Sequence, residues 1–499
     1  MHEQSLKRGG KKTILCALSA LAMAVVFSLI FYSCNSPLGP AVVSDNAMYL
    51  TMGTALAQGY APYSDIFDHK GPLLFVLQAI PQLFTKGYST LAVFIQEVLF
   101  LWACLLMLAR IARRSGAGAL PVQLIYLALI APNCDGGNLS ELYANLFTLA
   151  GIDLMFGAFA GEIGEAKAMR RPALGRGALT MICFLTRANN ALPLAAAVCA
   201  LALWLIGSKR FAHLGACVSG FLLGCAAALL PVVIWLGMHG ALYDAFYGAI
   251  IHNMKYAATQ GNSRIHMLLY KPYGHRAILM AALSCLGGLA VLIRTRRLAL
   301  PLAMVLGAAG GGLAAFISHK FYFHYLLLGA PLAVFGAAQL LAFAQGARWR
   351  KAAHVLCAAV CVIAICIYGH AANALREADY VAMQALTPDA QALYAQVPKE
   401  ERDRFMAYRV EPKWYVATGA LPCMRFYFLQ EILADADPAV MDEIVMEFNE
   451  DPPLWVVIYY NREFSPPYDA RVQDIFDTRY EFVDAKGQYQ LLRLKDEVQ

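Results

Sequence analysis

Apolar residues run almost without interruption from residue 13 to residue 370, and the few charges in that stretch come in short bursts. A membrane-spanning helix needs roughly 20 consecutive apolar residues, fewer where it bends. The runs predict about eleven spans, near 13–33, 89–111, 118–133, 139–160, 177–189, 191–207, 212–236, 276–293, 298–317, 323–345 and 352–370. The fifth is short and meets the sixth through Arg187, Ala188, Asn189 and Asn190. From residue 371 the pattern becomes that of a soluble domain. Its alternation and turn residues predict strands at 404–410 and 454–460, a helix at 439–448, and a hairpin over 480–494 that turns near Lys486-Gly487. The expected fold class is therefore an all-α polytopic membrane domain (residues 1–370) with a small C-terminal α/β soluble domain (residues 371–499).

The charge bursts orient this arrangement. Cytoplasmic loops of membrane proteins are enriched in Lys and Arg. With the N-terminus cytoplasmic, every dense cluster falls on that side: Arg110/Arg113/Arg114, Lys167/Arg170/Arg171/Arg176, Lys209/Arg210, Arg294/Arg296/Arg297 and Arg348/Arg350/Lys351. Counting residues 72–84 as a span would place Arg110, Arg113 and Arg114 outside, so that apolar stretch reads instead as a helix lying on the membrane surface. It belongs to an outer loop at 34–88. The C-terminal domain is then extracytoplasmic. Lys7, Arg8, Lys11 and Lys12 precede the first run, which is long enough to span and shows no clear small-residue cleavage site, so it reads as a retained first helix.

Composition narrows the function. Hydrophobic residues make up 59% of the 499 and charged residues only 15%, against about 25% charged in soluble domains. The net charge of +6 sits in the topological clusters and does not point to nucleic acid. The thirteen cysteines show no metal-ligand spacing and no Cys-x-x-Cys pair. No internal repeat of the kind found in many transporters is visible.

The outer loop carries the candidate chemistry. Ser44 or Asp45 is placed to cap a helix running to Ala57, with Gly59 as its stop and Asp45, Tyr49, Met52 and Leu56 on one face. The run Asp68-His69-Lys70-Gly71-Pro72 opens the surface helix in the same way, with Pro72 suited to its first turn. Several features form a recognisable set: an aspartate soon after the first span, Tyr49, the spacing Gly53-x-x-Leu56-x-x-Gly59, and the stretch from Pro62 to Leu73. Further along come Glu141 at the start of the fourth span, Arg187 and Asn189, and the run Lys320-Phe321-Tyr322-Phe323-His324-Tyr325. Together they resemble the bacterial GT-C superfamily of membrane glycosyltransferases, the family 39-like enzymes related to protein mannosyltransferases and aminoarabinose transferases. Many of those relatives carry Asp-Glu where this chain has Asp45-Asn46.

That resemblance implies transfer of a sugar from a polyprenyl-phosphate donor, undecaprenyl phosphate being the bacterial carrier, to a glycan, lipid or protein acceptor at the outer membrane face. Such chemistry needs a base for the acceptor hydroxyl, cations for the departing phosphate, and an apolar groove. The resemblance assigns Asp45 as the base, Lys70, Arg187, Lys320 and His324 as donor-phosphate partners, and Glu141 and Asp68 to the acceptor or a metal. The residues decide neither for nor against a divalent cofactor. Each has a structural alternative: helix cap for Asp45 and Asp68, headgroup contact for Lys70, broken-helix support for Arg187, an interfacial aromatic belt around Lys320 and His324. His252, Lys255, Tyr256 and Arg264 fall in a long loop between the seventh and eighth spans. They could line an acceptor site, though a solvated loop is the simpler account. Asp153 has no evident role. A flippase for a lipid-linked sugar would share the basic outer cluster and groove, but the chain has few charges deep in its spans. A scaffold using the outer α/β domain as a binding module is a third class.

Overall fold

A computed structural model describes residues 2–85, 87–160, 163–258, 263–344, 350–459 and 469–496. Arg348 of the last basic cluster, the terminal residue of the 323–345 span and Tyr460 of the second predicted strand lie outside the described residues. Among the described residues, nine helices are long and apolar enough to cross a membrane, from Thr13–Phe31 to Lys351–Tyr394. The chain is a multi-pass membrane protein. The other two expected spans are helical as well. Ala119–Ile130 is short and tightens into a 3-10 turn, Ala131–Asn133, at Pro132. Ala166–Thr186 begins in the basic stretch and stops at Arg187, whose extended backbone (φ −169°, ψ 136°) ends the helix before a 3-10 turn at Ala188–Ala191. Residues 72–84 form the helix Pro72–Leu83, with Pro72 in its first turn.

The chain folds as two compact units. One comprises Met1–Leu38, Phe94–Val232 and Gln260–Ala374; the other Gly39–Val93, Val233–Thr259 and Leu375–Gln499. In the first, helices meet through small residues, as expected where no hydrophobic effect drives helices together. A Cβ on Gly336 would lie 2.1 Å from the Leu283 carbonyl, and one on Gly177 2.0 Å from that of Phe221. Asp153 is the partner of two basic residues. It is buried and receives Arg110 Nε at 2.9 Å and Arg114 Nη1 at 2.6 Å, neutralising part of the first basic cluster.

In the second unit the C-terminal sheet has four strands: β1 (Phe405–Tyr408), β2 (Trp455–Tyr459), β3 (Tyr480–Lys486) and β4 (Tyr489–Leu494), in the order β1-β2-β4-β3. β1 and β2 are parallel, so the chain crosses over between them through helices that include Ala439–Glu450; the other pairs are antiparallel. Gly487, with φ +54°, turns the β3–β4 hairpin where the sequence placed it. The described part of the stretch after the seventh span is helical, with Lys255 and Arg264 exposed. It folds into Leu242–Phe246, a π-helical turn Tyr247–His252, and Asn253–Ala258, and it buries His252 completely.

Candidate functional site

In the second unit the motif between residues 44 and 73 centres on a pair of helices. The helix Ser44–Ala57 packs against Pro72–Leu83 so closely that a Cβ on Gly53 would lie 2.5 Å from the Gln78 carbonyl oxygen. Gly59, at φ +98°, takes the left-handed conformation that stops the helix. Neither Ser44 nor Asp45 is the cap, as the sequence had suggested. The extended residue before the helix is Val43, which has no side-chain acceptor. Asp45 instead stands half-buried in the first turn, where a carboxylate is favoured by the helix dipole. Beside it Asn46 is buried with neither amide atom partnered among the described residues.

Residues 61–70 fold into a tight turn that is buried from Ile66 to Lys70 and exposed at Asp65. Asp65 accepts from the Ala61 amide at 2.7 Å. Tyr63 holds φ +67°, uncommon for a non-glycine residue, and its hydroxyl donates to the Lys70 carbonyl at 2.6 Å. Burial pushes the Tyr63 phenol well above its ordinary value, so it remains a donor. Asp68 does not cap the following helix either; Gly71 is the residue before it. Its Oδ1 accepts from the Lys70 amide at 2.8 Å and stands 3.7 Å from Lys70 Nζ. Asp68, His69 and Lys70 are all buried, and Lys70 Nζ lies 5.7 Å from the centre of the Tyr49 ring. The Lys70 ammonium is thus buried between a carboxylate and an aromatic face.

In the first unit a second group forms where helices start and stop. Glu141, in the first turn of Ser140–Phe159, is buried and accepts from Arg187 Nη1 at 3.0 Å and from Ser140 Oγ at 3.0 Å. Arg187 also donates to the Tyr325 hydroxyl and lies over that ring, 4.4 Å from its centre. His324 meets Asp135 Oδ2 through Nδ1 at 2.8 Å and stacks on Tyr322. Lys320 is half-buried just before the 3-10 turn Phe323–Gly329 that carries His324 and Tyr325. The structure thus brings Glu141 together with Arg187, and Asp68 with Lys70.

Sequence reasoning missed a clamp beneath this group. The loop before Glu141 is left-handed at four consecutive residues, Asp135, Gly136, Gly137 and Asn138. Glu97, buried within the helix Thr90–Ser115, holds it by accepting from the Asn138 amide and from Asn35 Nδ2, the latter at 3.1 Å. A Cβ on Gly137 would meet Glu97 Oε1 at 2.6 Å, so glycine is required there. A lone glutamate in an apolar span and a Gly-Gly-Asn run were the available signals. Tyr325 and Asp135 were also missed as partners. Among the described residues, no three His, Cys, Asp or Glu side chains gather as a metal-binding group.

The second unit also contains a cavity of about 800 Å³ lined by Asp65, Asp403, Arg404, Arg425, Glu447 and Asp451, among others. Arg425 is held by Tyr63 O, Glu443 and Asp244. Burial, and then Glu443, raise the Glu447 carboxyl to about 7.

No family model matches this chain, and neither does any curated protein. Solved structures do. ArnT from Cupriavidus metallidurans bound to undecaprenyl phosphate superposes with a TM-score of 0.64 at 14% identity, covering 96% of this chain and 98% of that one. The same protein in the apo state gives a TM-score of 0.60 at 13% identity, covering 97% and 99%. At these identities the likeness establishes a shared fold over nearly the whole chain.

Proposed function

We propose that this protein is a GT-C-type glycosyltransferase that moves a sugar from a polyprenyl-phosphate donor to an acceptor on the outer face of its membrane. The observation that carries the proposal is the end-to-end structural likeness to a protein crystallised with undecaprenyl phosphate. The clusters around Lys70 and Arg187 supply the chemistry that such a lipid phosphate requires.

In this reading Asp45 accepts the proton of the acceptor hydroxyl as its oxygen attacks the anomeric carbon. The bond from that carbon to the phosphate oxygen breaks, and the phosphate leaves with the electron pair. By the sequence resemblance, Lys70, Arg187, Lys320 and His324 are the donor-phosphate partners that stabilise the charge it gains. Glu141 keeps Arg187 in place from beneath, and Asp68 does the same for Lys70, so each cation is fixed before the phosphate develops full charge. This preorganisation is what makes such contacts count in a transition state. The outward orientation is supported by the distribution of basic clusters.

The test is release of free polyprenyl phosphate from a panel of polyprenyl-phosphate sugars, using the purified full chain with membrane extract as a source of acceptor. Release from one donor class is expected. No release from any donor, together with movement of the lipid-linked sugar between leaflets in proteoliposomes, would replace the transferase with a flippase.

A further inference from the structure

The π-helical turn Tyr247–His252 and the Asn253 that follows it lie against the segment that carries Lys70. A Cβ on Gly248 would stand 2.9 Å from Tyr63 Cδ1 and 3.1 Å from Phe67 Cε2, so glycine lets the turn approach this closely. His252, fully buried, packs its ring against Phe67 at 5.7 Å and near His69 at 6.1 Å. Asn253 Nδ2 donates to the His69 carbonyl while also reaching Ala249 O at 3.0 Å within its own turn. A π turn inserts one extra residue into a helix and is frequent at functional sites.

The backbone at His69 and Lys70 is therefore fixed by three side chains. Asn253 takes the His69 carbonyl, Tyr63 the Lys70 carbonyl, and Asp68 the Lys70 amide. None of the three contacts is a regular helix or sheet bond. Their common effect is to set where the Lys70 ammonium stands.

Resting on the donor-phosphate reading of Lys70, we propose that His252, the last residue of the π turn, and Asn253, the residue after it, are positioning residues that hold Lys70 in its phosphate-binding place. Asn253 does so through the His69 carbonyl, and His252 by filling the space behind the Phe67 and His69 rings. Neither need touch the donor.

A double-mutant cycle on the purified full chain, with undecaprenyl phosphate as the probe, tests this. Lys70→Met, Asn253→Ala, and the two combined are compared by dissociation constant, with thermal midpoints recorded alongside. Asn253→Ala is expected to weaken binding about fivefold, the loss of roughly one net hydrogen bond, with a thermal midpoint near that of the parent. In the Lys70→Met background it should add almost nothing, because residues acting through one contact are not additive. Tyr63→Phe, which removes only the hydroxyl on the Lys70 carbonyl, should behave in the same way. Weaker binding for Lys70→Met but parental binding for Asn253→Ala and Tyr63→Phe would overturn the positioning role alone. So would fully additive losses. Parental binding for Lys70→Met would overturn the donor-phosphate reading beneath it.

Discussion

Arg187→Met should be among the more damaging substitutions in the first unit, and for a reason separable from catalysis. The Glu141 side chain is 1% exposed and the Arg187 side chain 12%. Removing the guanidinium leaves a buried carboxylate whose remaining partner is the Ser140 hydroxyl at 3.0 Å. Breaking a buried ion pair from one side costs about 3–5 kcal/mol. The contact with the Tyr325 ring, 4.4 Å away, adds about 1 kcal/mol. Pair energies measured inside membranes run lower than in water-soluble cores, so about 3 kcal/mol is the expected net loss. Replacing the charge on the other side as well should recover most of it. Arg187→Met combined with Glu141→Gln leaves no unpaired charge and is expected within about 1 kcal/mol of the parent. Reversible denaturant unfolding in mixed micelles reads these differences, and donor turnover is measured on the same samples. Arg187→Met should be unstable and inactive, the pair stable and still inactive. A parental midpoint for Arg187→Met, or a double variant no more stable than Arg187→Met, would refute the ion-pair reasoning. Turnover in the stable double variant would remove Arg187 from the phosphate role.

Three further outcomes follow from the second unit. Gly53→Val drives a side chain into the Gln78 carbonyl and should cost about 2 kcal/mol or more, read as a lower thermal midpoint; a parental midpoint would contradict the helix contact. The Glu447 carboxyl is raised from its ordinary 4.5 to about 7, so its contribution is full below pH 4.5 and is lost as pH rises through 7. Glu447→Gln should therefore stabilise the protein at pH 8 and not at pH 4.5, with a ceiling of about 3 kcal/mol and about 1–2 kcal/mol after allowance for partial exposure; an equal effect at both pH values would contradict the shift. His252 is lowered chiefly by burial and also by Lys255, while Asp437 pulls the other way and Asp68 stands beyond the His69 ring. Its stabilising share is full above about pH 6.5 and is lost as pH falls toward its depressed folded value. His252→Gln should flatten the thermal midpoint between pH 7 and pH 5, and an unchanged slope would contradict it.

What the sequence made legible was whatever depends on local pattern. The helix from 44 to 57, its stop at Gly59, the helix at Pro72 and all four strands follow from periodicity and turn residues, which act over a few positions. The caps were misplaced by one to three residues because the capping position is set by which residue is extended, here Val43 and Gly71, and not by which has a polar side chain. Glu97 was invisible as a clamp because its partners, Asn35 and Asn138, lie far along the chain. His252 and Asn253 were hidden for the same reason: a π turn has no simple sequence signature, and their contacts at Phe67 and His69 are about 180 residues away, as the 184 positions between Asn253 and His69 illustrate. The pairing of Glu141 with Arg187 joins two residues that the sequence had singled out separately.

The central claim rests most directly on Asp45. The measurement is release of polyprenyl phosphate from the active donor by the purified chain, parent beside Asp45→Asn, with donor binding and thermal midpoint recorded for both. The account predicts parental binding and stability for Asp45→Asn with turnover lost. Turnover at the parental rate in a folded, donor-binding Asp45→Asn protein would contradict it.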